Sequence, residues 1–142
     1  MIKPSAEVRA ALTLRLVVPR ADVALEATLR YDSDDPYAVR LGFPTAPGRE
    51  AVEWMFARQL VVDGLVAPSG DGDVRIWPSP EEMSGPVYVE LCSPSGRALF
   101  TVPRDVLVDF TRRCDEIVPA GTETAHLDLD AELDLLLHDD LS

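Results

Sequence analysis

The segment from residue 52 to residue 65 changes from the periodicity of a strand to that of a helix, and this change most constrains the fold. Its first apolar side chains occupy every second position and would leave one face of an extended chain: Val52, Trp54 and Phe56. Beyond them the apolar spacing becomes helical, and Gly64 stands where a helix would end in a left-handed turn. We predict a strand over 50–56, a short helix over 57–65, and a core that packs on this strand.

Two strand-then-helix units account for most of the chain. Alternation of apolar and polar residues predicts seven strands, which cover residues 8–18, 23–31, 37–43, 50–56, 74–77, 87–92 and 98–102. Helical spacing predicts the helix over 57–65, a second over 103–117 with an apolar stripe, and a final one over 129–138. The short connection at residues 19–22 predicts an antiparallel hairpin. A chain of 142 residues is expected to form one domain, 1–142, of the α+β class.

The net charge of −12 is unevenly distributed along the chain. All 13 basic residues lie at or before Arg113, whereas the part from Cys114 onward carries acidic residues and neither Lys nor Arg. An acidic tail repels phosphates, although the near-neutral body could still hold a local basic groove. The charge pattern therefore disfavours nucleic-acid binding without excluding it.

Cysteine content and hydropathy predict the compartment. The chain starts without a basic-then-apolar leader, so we expect a cytoplasmic protein whose two thiols, Cys92 and Cys114, are reduced. No apolar run approaches the ~20 residues that span a bilayer, and direct membrane insertion is not expected.

The residues that could carry chemistry do not form a recognisable catalytic or metal site. Four acidic residues resemble the opening of a calcium loop, but Leu133 replaces the required Gly, and a solvated helix start explains them: Asp128, Asp130, Glu132 and Asp134. Four potential zinc ligands lack the short spacing of a zinc site: Cys92, Cys114, His126 and His138. Residues 70–73 predict a hairpin turn rather than a phosphate-binding loop. We predict a protein that is not an enzyme and has no cofactor.

The sequence resembles the SsgA-like sporulation and cell-division proteins of mycelial actinobacteria, and within them the SsgB subgroup. The matching segments span about residues 12 to 137 and keep the order and spacing of the family pattern. They are 29–32 (Leu-Arg-Tyr-Asp), 35–39 (Asp-Pro-Tyr-Ala-Val), 52–54, 56–58, 63–65, 72–78 (Gly-Asp-Val-Arg-Ile-Trp-Pro), 93–94 with Gly96, Pro119 with 121–123, 128–130, and 132–133.

This resemblance implies a non-enzymatic protein that marks septum sites and recruits the tubulin-like division GTPase FtsZ, aided by other SsgA-like or septum-site proteins. It also implies a fold similar to the Whirly and mitochondrial guide-RNA-binding proteins, with two antiparallel sheets and packed helices, assembled as a homotrimer or larger ring. Relatives of that fold bind single-stranded nucleic acid through basic grooves and stacking aromatics. The acidic tail and the few aromatic residues favour a protein partner at the division septum instead.

The candidate protein-binding residues fall in two places. In the segment 119–126, the glycine allows positive φ and close backbone approach, so this segment is either a partner contact or a plain helix-to-helix turn; its candidates are Gly121, Thr122 and Glu123. On the first helix, Arg58 and Asp63 form either an exposed ion pair, which we favour, or further contacts. Trp54 and Phe56 are expected in the core rather than on a binding surface.

Overall fold

The computed structural model describes residues 6–44, 52–70, 72–82 and 84–124. Its elements, in chain order, are β1 (Glu7–Val18), β2 (Ala21–Asp32), β3 (Asp35–Phe43), β4 (Val52–Ala57), α1 (Arg58–Gly64), β5 (Val74–Pro78), β6 (Val87–Ser93), β7 (Gly96–Val102) and α2 (Arg104–Ile117). Each of these elements was predicted from the sequence to within two residues at either end. The predicted final helix over 129–138 lies outside the described residues.

The seven strands form one antiparallel sheet in the order β4-β3-β2-β1-β7-β6-β5. Apart from one pairing, every neighbour in the sheet is also the next strand in the chain. The exception is the seam between β1 and β7, where Arg15 pairs with Thr101 and Leu16 with Phe100. The expectation of two separate sheets is therefore corrected for the described residues, because the seam joins the two groups of strands into a single sheet. The fold remains of the predicted α+β class.

The connection between β1 and β2 is a two-residue turn. Val18 pairs with Ala21, which leaves Pro19 and Arg20 at the tip, and Arg20 has φ of 61°. The proline ring requires a negative φ, so the left-handed residue falls at the second turn position, the pattern of a type II turn. This confirms the predicted antiparallel hairpin.

The core lies between the helices and the face of the sheet formed by alternate residues. On β1 the even-numbered residues from Val8 to Leu16 are at least partly buried, whereas the odd-numbered side chains are exposed. Helix α2 contributes the predicted apolar stripe, in which Leu107, Phe110 and Cys114 are buried. The Arg113 guanidinium donates a hydrogen bond of 3.0 Å to the Arg9 carbonyl and ties α2 to β1.

Strand β4 is an edge strand, so the expectation that the rest of the chain packs on it is wrong. Its two aromatic side chains, Trp54 and Phe56, are only partly buried at the margin of the core. Met55 on the opposite face is 62% exposed. Most of the fully buried residues lie instead on the inner strands and on α2, because a strand with a single neighbour has less protein around it.

Gly64 ends α1, but not through the left-handed conformation that we predicted. The glycines with positive φ among the described residues are Gly70, Gly96 and Gly121. Gly64 is instead buried against β5: a Cβ atom there would lie 2.5 Å from Ile76 Cβ and 3.1 Å from its carbonyl oxygen. Glycine is needed at this position because helix and strand approach too closely for any side chain.

A turn precedes β5 as expected, between Ser69 and Ile76; Asp71, within the predicted range 70–73, lies outside the described residues. Gly70 has φ of 94°, and Ser69 and Ile76 exchange backbone hydrogen bonds of 2.9 and 3.0 Å across the turn. The element that follows is the strand β5, which begins at Val74, rather than a helix whose N-terminus could bind a phosphate.

Candidate protein-binding surface

Arg58 is the buried charged residue that lies beneath the candidate surface. It opens α1 directly after β4, and its side chain turns inward, so the residue is only 5% exposed. It is the one charged residue that the structure buries within the described ranges. A buried guanidinium is tolerated only where its charge and its donors are matched by partners.

Four groups surround the Arg58 guanidinium. It donates a hydrogen bond of 3.1 Å to the Tyr31 hydroxyl, and its Cζ lies 5.2 Å from the centre of the Tyr31 ring. Its nitrogens lie 3.5 Å from the Asp115 carboxylate of α2 and 3.4 Å from the Glu123 carboxylate. One cation thus connects β2, α1, α2 and the chain that follows α2, and two carboxylates balance its charge.

Tyr31 fixes the position of Arg58 through its hydroxyl and its ring. Burial raises the pKa of its phenol to about 12, although Arg58 acts in the opposite direction. The hydroxyl therefore stays protonated, and it donates a hydrogen bond of 2.9 Å to the Pro36 carbonyl while it accepts one from Arg58. This chain of hydrogen bonds connects the start of β3 to the start of α1.

Residues 119–124, here called the 119–124 segment, form a tight turn after α2. Thr122 donates twice to the Pro119 carbonyl, from its amide at 3.0 Å and from its hydroxyl at 2.6 Å. Two consecutive amides are bound by carboxylates: Ala120 by Asp115 Oδ1 at 2.7 Å and Gly121 by Glu123 Oε2 at 2.8 Å. The Thr124 and Tyr37 hydroxyls are hydrogen-bonded to each other.

Gly121 has the left-handed conformation that the sequence suggested. Its φ is 90°, which L-residues with a side chain rarely adopt. A Cβ atom built there would meet no described atom within 4 Å, so the part of the chain that the structure describes leaves the outer side of the turn uncovered. Gly121 and Thr122 are both exposed. The segment therefore combines a fixed backbone with a surface that is open to a partner.

The structure brings four of the five predicted residues together: Arg58, Gly121, Thr122 and Glu123. Asp63 is separate, because it accepts a hydrogen bond of 2.8 Å from Gln59 on the exposed face of α1. The predicted Arg58–Asp63 ion pair is wrong. Residues five apart on a helix are rotated by about 140°, so Arg58 points into the protein while Asp63 points outward.

Sequence reasoning missed two of the partners that hold Arg58, namely Tyr31 and Asp115. They lie 27 and 57 positions from Arg58 in the chain, beyond the reach of periodicity arguments. One signal was available. Tyr31 alternates in step with Leu29, which places a hydroxyl on a core-facing position that requires a buried partner.

The two thiols differ in their surroundings. Cys114 is fully buried near Arg58, and burial raises its pKa to about 12 although Arg58 and Arg113 favour the thiolate. Cys92 is partly exposed. Within the described ranges, no three Asp, Glu, Cys or His residues cluster closely enough to hold a metal ion. His126 and His138 lie outside those ranges.

A thiol-reactive dye at pH 8 is expected to label one cysteine per native chain and two per unfolded chain. The thiolate is the reacting species, and Cys114 stays protonated and covered. Mass spectrometry of the labelled peptides would identify the modified residue. Rapid labelling of Cys114 in the native protein would contradict the buried position of the thiol. The matched control is a Cys92→Ser variant, whose native form should take up no dye.

The comparison with known families decides what kind of protein this is. Residues 25–123 match the family model described as "Streptomyces sporulation and cell division protein, SsgA". The chain belongs to the SsgA family. The matched range covers β3 to α2 and most of β2, together with the 119–124 segment as far as Glu123.

Several relatives of this SsgA-family chain are known as sporulation-specific cell division proteins. It is 50% identical over 131 residues to SsgB of Frankia casuarinae, covering 92% of this chain and 91% of that protein. It is 49% identical over 127 residues to SsgB of Streptomyces coelicolor, with 89% and 92% covered. In the described part, the SsgA-family chain has no helix long and apolar enough to cross a membrane.

Two solved structures share the fold of this SsgA-family chain. An SsgA-like sporulation-specific cell division protein from Thermobifida fusca superposes with a TM-score of 0.81 at 42% identity, covering 94% of this chain and 98% of the other. An SsgB structure is connected with mutations that correlate to longitudinal cell division during sporulation of Streptomyces coelicolor. It superposes with a TM-score of 0.77 at 46% identity, covering 86% and 96%.

Proposed function

We propose that this protein is a sporulation-specific division adaptor that marks septum sites and recruits the tubulin-like GTPase FtsZ. In this proposal it acts in the cytoplasm at division septa through protein–protein binding, without catalysis or cofactor. It works as a homo-oligomer, in our proposal a trimer, together with other SsgA-like or septum-site proteins. The relatives named SsgB, at 42–50% identity over most of the chain, support a role in sporulation-specific division.

The 119–124 segment is the observation that carries the choice of contact surface. Its backbone is fixed by hydrogen bonds from both sides of the turn, while Gly121 and Thr122 face outward. A surface that is ordered before binding loses little conformational entropy on association. We therefore place the partner contact at Gly121 and Thr122, with Glu123 and Arg58 behind them. Asp63 on α1 is a separate, outlying contact.

The test is a Thr122→Arg variant, which adds bulk and charge to the proposed contact without altering Gly121. We expect its affinity for purified FtsZ to fall at least about tenfold, since interface centres lose about 2 kcal/mol or more on disruption. Sporulation septa should be lost or misplaced when this variant replaces the normal protein. Fluorescence anisotropy of labelled FtsZ and microscopy of sporulating hyphae would measure the two effects.

A Thr13→Arg variant is the matched control, because Thr13 is an exposed threonine on the face of β1 that points away from the core. It introduces the same side chain away from the turn and should leave both affinity and septation unchanged. The proposed contact would be refuted by a Thr122→Arg protein that binds FtsZ and supports septation as the unmodified protein does.

Single-stranded nucleic-acid binding is the second candidate function, and the outer face of the sheet favours it. Arg9 pairs with Arg30 across β1 and β2, and Arg30 with Arg40 across β2 and β3. On β5 and β6 the rings of Trp77 and Tyr88 stack with centroids 5.8 Å apart. Trp77 and Tyr88 are both partly exposed, and basic residues together with accessible rings on one face are typical of single-strand binders.

Charge pairing weakens this second candidate. Arg9 is ion-paired with Glu7, and Arg40 lies 3.6 Å from Asp35 and 3.9 Å from Glu53. Two of the three arginines are therefore already neutralised by neighbouring carboxylates. A labelled oligonucleotide retarded by the protein, with an affinity that falls steeply with salt and falls further in Arg30→Glu, would favour nucleic-acid binding over the adaptor role.

A further inference from the structure

Two carboxylates hold consecutive amides of the 119–124 segment, and both are bound to the same guanidinium. Asp115 Oδ1 accepts the Ala120 amide and lies 3.5 Å from Arg58 Nη2. Glu123 accepts the Gly121 amide through Oε2 and lies 3.4 Å from Arg58 Nη1 through Oε1. The backbone of Ala120 and Gly121 is therefore connected to Arg58 through two separate carboxylates.

Arg58 itself has little freedom to move. Its backbone lies in the first turn of α1, its guanidinium is packed against the Tyr31 ring, and the Tyr31 hydroxyl accepts one of its N–H groups. The Tyr31 hydroxyl is in turn fixed by its bond to the Pro36 carbonyl. The planar guanidinium can donate in several fixed directions at once, which a lysine ammonium cannot do. Arg58 thus provides a rigid reference point for the two carboxylates.

Arg58 is too deeply buried to touch a protein partner at this surface. The residue is 5% exposed, and Glu123 lies between it and the outer side of the turn. Any effect of Arg58 on binding must therefore pass through the conformation of the segment. The backbone of the segment can change conformation most easily at Gly121, because its φ of 90° is one of several values that glycine adopts freely.

We propose that Arg58 is the positioning residue of the 119–124 segment: through Asp115 and Glu123 it fixes the single backbone conformation in which Gly121 and Thr122 are presented. The conformational part of this proposal stands on the geometry alone, and its consequence for FtsZ rests on the proposed function. Loss of Arg58 releases both carboxylates and both amides together, so the segment samples several conformations. A smaller fraction of the molecules then has the conformation that the partner binds, and the apparent affinity falls.

The test is amide hydrogen exchange of the full-length protein, with Arg58→Lys compared with the unmodified chain. We expect exchange at Ala120 and Gly121 to accelerate about tenfold or more, since charge-assisted hydrogen bonds to both amides are weakened. Amides in the centre of β2 should exchange at their original rate. Arg104→Lys is the matched control, because Arg104 also donates to a partner, the Leu65 carbonyl at 2.8 Å, away from the segment.

A Glu123→Gln variant tests the same interaction if the Arg58→Lys protein fails to fold. The amide oxygen of Gln can still accept from Gly121 but no longer attracts the guanidinium, so Gly121 should exchange faster and Ala120 much less so. Unchanged exchange at both amides in Arg58→Lys would overturn the proposal. Exchange that accelerates while FtsZ affinity stays constant would confirm the positioning role and refute the segment as the FtsZ contact.

Discussion

Phe110→Ala is expected to lower the free energy of unfolding by about 3–5 kcal/mol, the range measured when a fully buried aromatic side chain is truncated. Phe110 is 0% exposed and lies between Leu107 and Cys114 on the buried stripe of α2. Removal of its ring would leave a cavity where α2 faces the inner side of the sheet. Urea unfolding followed by far-UV circular dichroism would measure the change through the midpoint at constant slope.

Val108→Ala on the same helix is the control for Phe110→Ala. Val108 is 44% exposed, so its truncation removes few contacts and should change stability by less than about 1 kcal/mol. The comparison separates loss of packing from loss of helix propensity, because both variants place alanine in the helix interior. A Phe110→Ala protein as stable as Val108→Ala would contradict the position of α2 over the core.

Gly64→Ala is expected to destabilise the protein by about 2 kcal/mol or more, which reverses the usual advantage of alanine in a helix. Alanine normally gains about 1 kcal/mol over glycine in a helix interior. Here its methyl group would lie 2.5 Å from Ile76 Cβ, and relief of that overlap requires α1 to move away from β5. Overpacking of this kind typically costs about 1–3 kcal/mol, occasionally more.

Gly72→Ala provides the matched glycine control. Gly72 precedes β5, and no described atom lies within 4 Å of the position that an added methyl group would take, so alanine should be tolerated there. Thermal unfolding of both variants would measure the difference as a shift in Tm. A Gly64→Ala protein with a raised Tm would show that the close approach of α1 and β5 is wrong.

The elements of this fold could be predicted because their signals are local. The alternation of Leu12, Leu14 and Leu16 in β1 and the stripe through Leu107 and Phe110 in α2 both arise from the periodicity of the backbone. Strand order has no such local signal. Trp54 and Phe56 have the composition of a central strand, yet β4 lies at the edge of the sheet, because the pairing of strands depends on contacts between distant segments.

The candidate surface could be predicted only where its signals are local. Gly121 stands out in the sequence because glycine between two helical patterns indicates positive φ, and the structure has φ of 90° there. Arg58 could be singled out but not correctly paired. Its spacing to Asp63 suggested a surface ion pair, whereas its carboxylates, Asp115 and Glu123, lie on other elements. Only the folded chain brings these charges together.

The seam between β1 and β7 has a consequence for how the protein folds. Its two pairs join residues roughly 85 positions apart in the chain, whereas all other strand pairs connect consecutive strands, so closure of the seam carries the largest loop entropy. We expect two β-meanders, β1–β4 and β5–β7, to form early and the seam to close late. Until it closes, the flanks of β1 and β7 remain open to pairing with another newly synthesised chain.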